Sequence, residues 1–262
     1  AHPLVVWAEP DRLVRLHPHD LPIDDLYAAQ LWHLENRAQN EGALPGADIN
    51  VLPAWAITHG EGQIIAIIDG GVELTHPDLS VLEPGIDGID GDTIALPGDG
   101  QDNPGHGTAV AGVAAAIGDN GIGVAGVAYA ASVLPVRLIG GDVSVSVMYD
   151  SFVQAVDRGA VVLNNSWGFV PPEPCDAIGD IAALNDAVRY AQIEGRGGLG
   201  TVVVFSAGNA GCEQNNYPLL RDNENVIGVG SLTDQDRKWG YSVWGNHVDI
   251  AAPSGPAGGG GR

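Results

Sequence analysis

Ile64-Ile65-Ala66-Ile67-Ile68-Asp69-Gly70-Gly71 sets four isoleucines in five positions and then stops at an aspartate followed by two glycines. A β-branched run this dense reads as a strand buried on both faces, and the glycines let the chain turn sharply away from its carboxyl end. Outward from it the same grammar recurs. Val133-Leu134-Pro135-Val136, Val161-Val162-Leu163, Thr201-Val202-Val203-Val204-Phe205 and Val226-Ile227-Gly228-Val229 read as further strands, and residues 108–117, 145–158 and 181–194 as helices. Apolar strands alternating with helices predict an α/β fold whose central sheet is mainly parallel and flanked by helices, with ligands beyond the carboxyl ends of the strands. Those ends carry Asp69, Asn164-Asn165-Ser166-Trp167-Gly168 and Ser206-Ala207-Gly208-Asn209.

The bulk properties narrow the choices. The 262 residues, 45% of them apolar, fit one large α/β domain or two small ones, and there is no internal repeat. With 33 acidic and 11 basic residues the net charge is −22, which repels nucleic acid and anionic membranes but suits basic peptides and divalent cations. No apolar run approaches the roughly 20 residues that span a bilayer, and Ala1-His2-Pro3 opens no signal segment. Acidity, few lysines and abundant glycine suit a secreted or periplasmic protein. Cys175 and Cys212 match no zinc spacing and leave open one disulfide or two free thiols.

Taken singly, the polar residues at the strand ends have ordinary structural readings: a turn aspartate, a helix-start histidine, a left-handed turn asparagine. Their combination does not. Asp69-x-Gly71, Gly105-His106-Gly107-Thr108-Ala109-Val110-Ala111-Gly112, Asn165-Ser166-Trp167-Gly168 and Ser206-Ala207-Gly208-Asn209 follow in that order, all at the edge of one inferred sheet. From about residue 22 to 253 the chain resembles the subtilase family of serine proteases. Gly126-Val127-Ala128-Tyr129, Val136-Arg137-Leu138 and Gly195-Arg196-Gly197-Gly198-Leu199-Gly200 bring it closer to the kexin-like members.

The resemblance implies a three-layer sandwich and a serine endopeptidase. Asp69 would orient an imidazole, His106 would be general base and then acid, and Asn209 would donate to the oxyanion. Ser166, Trp167 and Gly168 would pair with an extended substrate. Asp176 and Glu213 beside the cleft would suit arginine or lysine before the cut. Asp25, Asp78 and Asn120, with backbone oxygens of Ile117, Ile122 and Val124, would form a calcium shell. Val243 stands where kexin-like enzymes carry an acidic residue, so their second calcium site is not expected.

The chain departs from the family at its end. No Gly-Thr-Ser motif follows Ala251-Ala252-Pro253, so the nucleophilic serine is expected in a missing C-terminal segment or a second chain. A nicked enzyme, a shortened chain and a non-catalytic peptide-binding relative all account for this. The run Gly258-Gly259-Gly260-Gly261-Arg262 favours a nick after a basic residue. Residues 254–262 are expected to form a mobile tail, residues 18–253 the catalytic domain without its C-terminal part, and residues 1–17 a retained inhibitory propeptide tail or a plain extension.

Overall fold

The computed structural model describes residues 21–98, 105–168, 181–215, 217–221, 223 and 226–256. Seven strands form one sheet, every ladder of it parallel: β1 (Ile64–Asp69), β2 (Ile86–Asp87), β3 (Ser132–Arg137), β4 (Val162–Asn165), β5 (Val202–Ser206), β6 (Val226–Leu232) and β7 (Ile250–Pro253). Their order is β2-β3-β1-β4-β5-β6-β7. The helices are α1 (Leu52–Trp55), α2 (His106–Ala115), α3 (Val145–Asp157), α4 (Ala182–Gly198) and α5 (Pro218–Arg221).

Strand alternation divides the core in two. Ala66, Ile68, Leu134, Val136, Leu163, Val203 and Phe205 face α3 and α4, which answer with Phe152, Ala155, Val156, Leu184, Ala187, Val188 and Ala191. Ile65, Ile67 and Val133 face the other way and meet Ala111 and Ala115 of α2. The result is three layers, helices on both sides of a parallel sheet, as expected. A third cluster of Leu31, Leu34, Val51, Trp55 and Ala125 docks the N-terminal segment.

Coverage of the α2 side is incomplete. Val202, Ile227 and Ile250, on that face of β5, β6 and β7, are 38%, 37% and 59% exposed, and Val113 of α2 is 56% exposed. Parallel strands are normally buried on both faces, so these side chains have the composition of a core surface that no described residue covers fully.

Several boundaries differ from the predicted ones. Helix α2 begins at His106, two residues early, because Gly105 and Gly107 raise no steric barrier there. Helix α4 runs past residue 194 only through a kink at Gly195, Arg196 and Gly197, where the backbone leaves the helical region. Strands β2 and β7 were not predicted. The expected mobile tail is held at its start, since Ser254 and Gly255 are hydrogen-bonded to Trp239 and Tyr241. Its remainder, residues 257–262, lies outside the described residues, as do residues 1–17, Cys175 and Asp176. Cys212 is disulfide-bonded, so it is not a free thiol.

Candidate active site

All seven strands point the same way, so their carboxyl ends form one edge, and adjacent strands bring the singled-out residues there. In register, Ile68 of β1 lies beside Asn165 of β4, and Asn165 beside Phe205 of β5. Asp69 therefore ends β1 one step beyond that row, Ser166 leaves β4, and Asn209 follows β5 by three residues. Asn165 is structural. Its buried side-chain amide donates to the carbonyls of Leu163 and Val204, both at 3.1 Å, fixing where Ser166 and the end of β5 emerge.

Helix α2 crosses behind β1 and delivers His106 to Asp69. A Cβ on Gly107 would overlap the carbonyl oxygen of Gly71 and stand 3.0 Å from the Asp69 Cβ, so only glycine lets the helix start this close. Gly71 itself has φ +101°, a left-handed backbone that turns the chain out of β1. The hydroxyl of Thr108 accepts the Glu73 N–H at 2.9 Å and ties the same loop to the first turn of α2.

The Nδ1 nitrogen of His106 lies 2.8 Å from Oδ1 and 3.0 Å from Oδ2 of Asp69. Oδ1 also accepts the Gly70 N–H at 2.7 Å. Asp69 is 1% exposed, whereas the His106 side chain is 41% exposed, so a buried carboxylate orients a ring open to solvent. The bond to Asp69 raises the imidazole pKa above its usual value; burial opposes this and the carboxylate charge adds to it. Nε2 has no partner among the described residues. A base held this way takes a proton through Nε2 and passes the cost of its charge to Asp69.

Asn209 is exposed after Gly208, whose φ is +106°. Trp167 packs edge-on against Phe205 with ring centroids 5.3 Å apart, and Gly168 is exposed. Glu213 is exposed beside Cys212, accepting the side-chain amide of Asn215 at 3.0 Å. A cavity of about 390 Å3 separates α2 (Val110, Val113), the exit of β4 (Asn164, Ser166) and the chain leaving β7 (Pro253, Ser254). A larger one, about 680 Å3, runs along the outer side of α2 past Thr108, Ala109, Gly112 and Val113. Both lie against the uncovered side of α2.

The family of this site is decided by a match over most of the chain. The Peptidase_S8 model, described as the subtilase family, fits residues 60–261. The chain belongs to the subtilases. Among curated subtilase relatives, thermitase of Thermoactinomyces vulgaris is 38% identical over 203 residues, covering 76% of this chain and 66% of that protein. A calcium-dependent protease of Nostoc sp. (strain PCC 7120) is 36% identical over 240 residues, covering 86% of this chain and 35% of that protein. The chain thus spans from about a third to two thirds of these relatives. A solved structure described as proteases from Pseudoalteromonas arctica PAMC 21717 superposes with TM-score 0.72 at 30% identity, over 90% of this chain and 73% of that one.

Away from the sheet edge, Asp25, Asp78 and Asn120, singled out for calcium, are linked by hydrogen bonds, and Ile117, Ile122 and Val124 join them through backbone N–H groups. Asp25 and Asp78 are buried, 4% and 3% exposed. Asp25 accepts the N–H groups of Asp119 and Asn120 at 2.9 and 3.3 Å. Asp78 accepts the Asn120 side-chain amide at 2.8 Å and the Val124 N–H at 2.9 Å. The Ile117 N–H donates to the backbone oxygen of Asp78, and the Ile122 N–H to the side-chain oxygen of Asn120, both at 2.9 Å. Neither carboxylate forms an ion pair with a described residue, and no three His, Cys, Asp or Glu among the described residues could share a metal. Two buried carboxylates satisfied only by neutral donors among the described residues fit a hard divalent cation better than a transition metal.

One support of the site was legible in its motif and one was not. The glycines flanking His106 are expected from the sequence to let other backbone approach closely, and for Gly107 that backbone is Gly71. Tyr241 was not singled out in the sequence, because its partners Gly211, Ser254 and Gly255 are remote along the chain.

Proposed function

We propose that this subtilase is a serine endopeptidase in which Asp69 and His106 are two members of an Asp-His-Ser triad. The observation that carries the reading is the buried Asp69 carboxylate holding Nδ1 of a solvent-open His106 at the strand edge. An extended peptide lies along Ser166, Trp167 and Gly168. His106 Nε2 takes the proton from the serine hydroxyl as its oxygen attacks the scissile carbonyl carbon. Asp69 accepts the Nδ1–H throughout, keeping the tautomer and stabilising the cation. The Asn209 amide donates to the developing oxyanion, a contribution of about 3 kcal/mol known from subtilisin itself. His106 then protonates the amine as the C–N bond breaks, and water hydrolyses the acyl-serine in the reverse sense.

The serine is placed in a segment downstream of β7. Ser254 is engaged with Tyr241 and Ser166 with Asn164, and no described serine is hydrogen-bonded to His106. The exposed apolar side chains of Val113, Val202, Ile227 and Ile250, the first of which also lines the cavity where the chain leaves β7, support an apolar element from that segment as their cover. Calcium would be held by Asp25, Asp78 and Asn120 with oxygens of Ile117, Ile122 and Val124, supplying positive charge that binds the N-terminal segment to the 117–124 loop. The acidic surface and the exposed Glu213, with Asp176, favour substrates with arginine or lysine before the cut. A secreted or extracellular setting agrees with this surface and with the disulfide at Cys212.

The test is a fluorophosphonate probe on the full-length protein, read by intact mass and peptide mapping. One adduct on a serine beyond residue 256, and cleavage of a peptide library after Arg or Lys, are expected. A folded protein that takes no label overturns the protease reading and leaves a peptide-binding relative.

A further inference from the structure

The segment Trp239–Val243 touches two places the proposed chemistry must keep in register. On one side, the Tyr241 carbonyl accepts the Gly211 N–H at 2.7 Å, and the Val243 N–H donates to the Gly208 carbonyl at 3.0 Å, so Asn209 sits in a loop gripped on both flanks. On the other, the Tyr241 hydroxyl donates to the Gly255 carbonyl at 2.7 Å and lies 3.0 Å from the Ser254 hydroxyl. A phenol has one proton, so Ser254 is the donor in the second contact. Trp239 stacks on Tyr241 with ring centroids 5.7 Å apart and planes 17° from parallel, and its Nε1–H donates to the Ser254 carbonyl at 2.9 Å.

The segment is itself anchored to β6. The Trp239 N–H donates to the Ser231 carbonyl at 3.0 Å, and the buried Ser242 hydroxyl accepts the Ser231 N–H at 2.9 Å. Without the two aromatic side chains, the chain leaving β7 would keep one ladder bond, from the Ser254 N–H to the Leu232 carbonyl at 2.9 Å.

Building on the protease reading, we propose that Tyr241 is a positioning residue that couples the Asn209 loop to the chain leaving β7, holding the oxyanion donor in register with the end of the sheet. Its backbone fixes one and its hydroxyl the other, so motion of either is carried through a single residue. Misplacement of reacting groups by about 1 Å costs roughly 10²-fold in rate, which makes such a link consequential although Tyr241 touches no substrate.

The variant Tyr241→Phe keeps the ring and its stack on Trp239 and removes only the hydroxyl. In the full-length protein, amide hydrogen exchange at Gly211 and Gly255 is expected to quicken about tenfold. Turnover is expected to fall about tenfold in kcat with KM unchanged, and by less than twofold when the same change is made in an Asn209→Ala background. Unchanged exchange at Gly211 overturns the coupling. In an active enzyme, so does an unchanged kcat, or an equal loss with and without Asn209. A wild type that takes no serine probe while Gly211 still responds sinks the protease reading and leaves the coupling standing.

Discussion

His106 does its proposed work only if Nδ1 keeps its proton and Nε2 stays empty, and Asp69 enforces both. Because the bond to Asp69 raises the imidazole pKa, and a base must be neutral, the acid limb of kcat/KM is expected to have its midpoint above about 6.5. The same shift makes His106 a contributor to stability below about pH 6.5, lost as pH rises through the raised value. Asp69→Asn removes the acceptor and the charge together, so the limb moves to lower pH and the plateau falls by about 10⁴-fold. A pH–rate profile of the two proteins checks both; a wild-type midpoint below 6.5 would contradict the geometry. His247 runs the opposite way. It is 1% exposed and burial lowers its pKa, so its share of stability is present above about pH 6.5 and lost as pH falls. Asp69, His106 and Asn209 were legible as residues because their motifs stand in order. Tyr241 was not, since its carbonyl and hydroxyl partners lie 30, 13 and 14 residues away.

At the level of elements, the site depends on how closely α2 can approach β1. Gly107→Ala would force a methyl onto the Gly71 carbonyl, and one of the two backbones would have to move. A loss of about 1–3 kcal/mol in stability is expected, with turnover reduced about 10²-fold as His106 shifts from Asp69. Denaturant melts beside kinetics check it, and wild-type activity in the variant would show that the approach is not needed. The five strands with dense β-branched runs were readable from sequence, as were α2, α3 and most of α4, because periodicity and composition agree there. Strands β2 and β7 were not. The first has two residues, and Ile250-Ala251-Ala252-Pro253 contains alanine and proline, which seldom announce a strand; it is one because β6 offers an open edge.

The whole molecule carries −22 of net charge, and two of its carboxylates, Asp25 and Asp78, are buried without a cationic partner among the described residues. They bring the N-terminal segment, the loop around Asp78 and the 117–124 turn together, so a bound cation would stabilise long-range packing rather than one loop. Calcium at about 100 times its Kd adds roughly 2.7 kcal/mol, or about 5–10 °C in Tm for a chain of this size. Chelation should remove that increment in a melting experiment, and Asp78→Asn should abolish the response; a Tm indifferent to calcium would end the proposal. The sequence by itself determined the α/β class, the parallel sheet and the residues at its edge, because buried strands need continuous apolar runs and turns at their ends need glycine. Only the tertiary structure decided which strands are neighbours, that the backbone Gly107 admits is that of Gly71, that Val202, Ile227 and Ile250 stay exposed among the described residues, and that one tyrosine links two distant loops. Each of these depends on which atoms from remote parts of the chain share a few ångströms of space, and local composition and periodicity do not encode that.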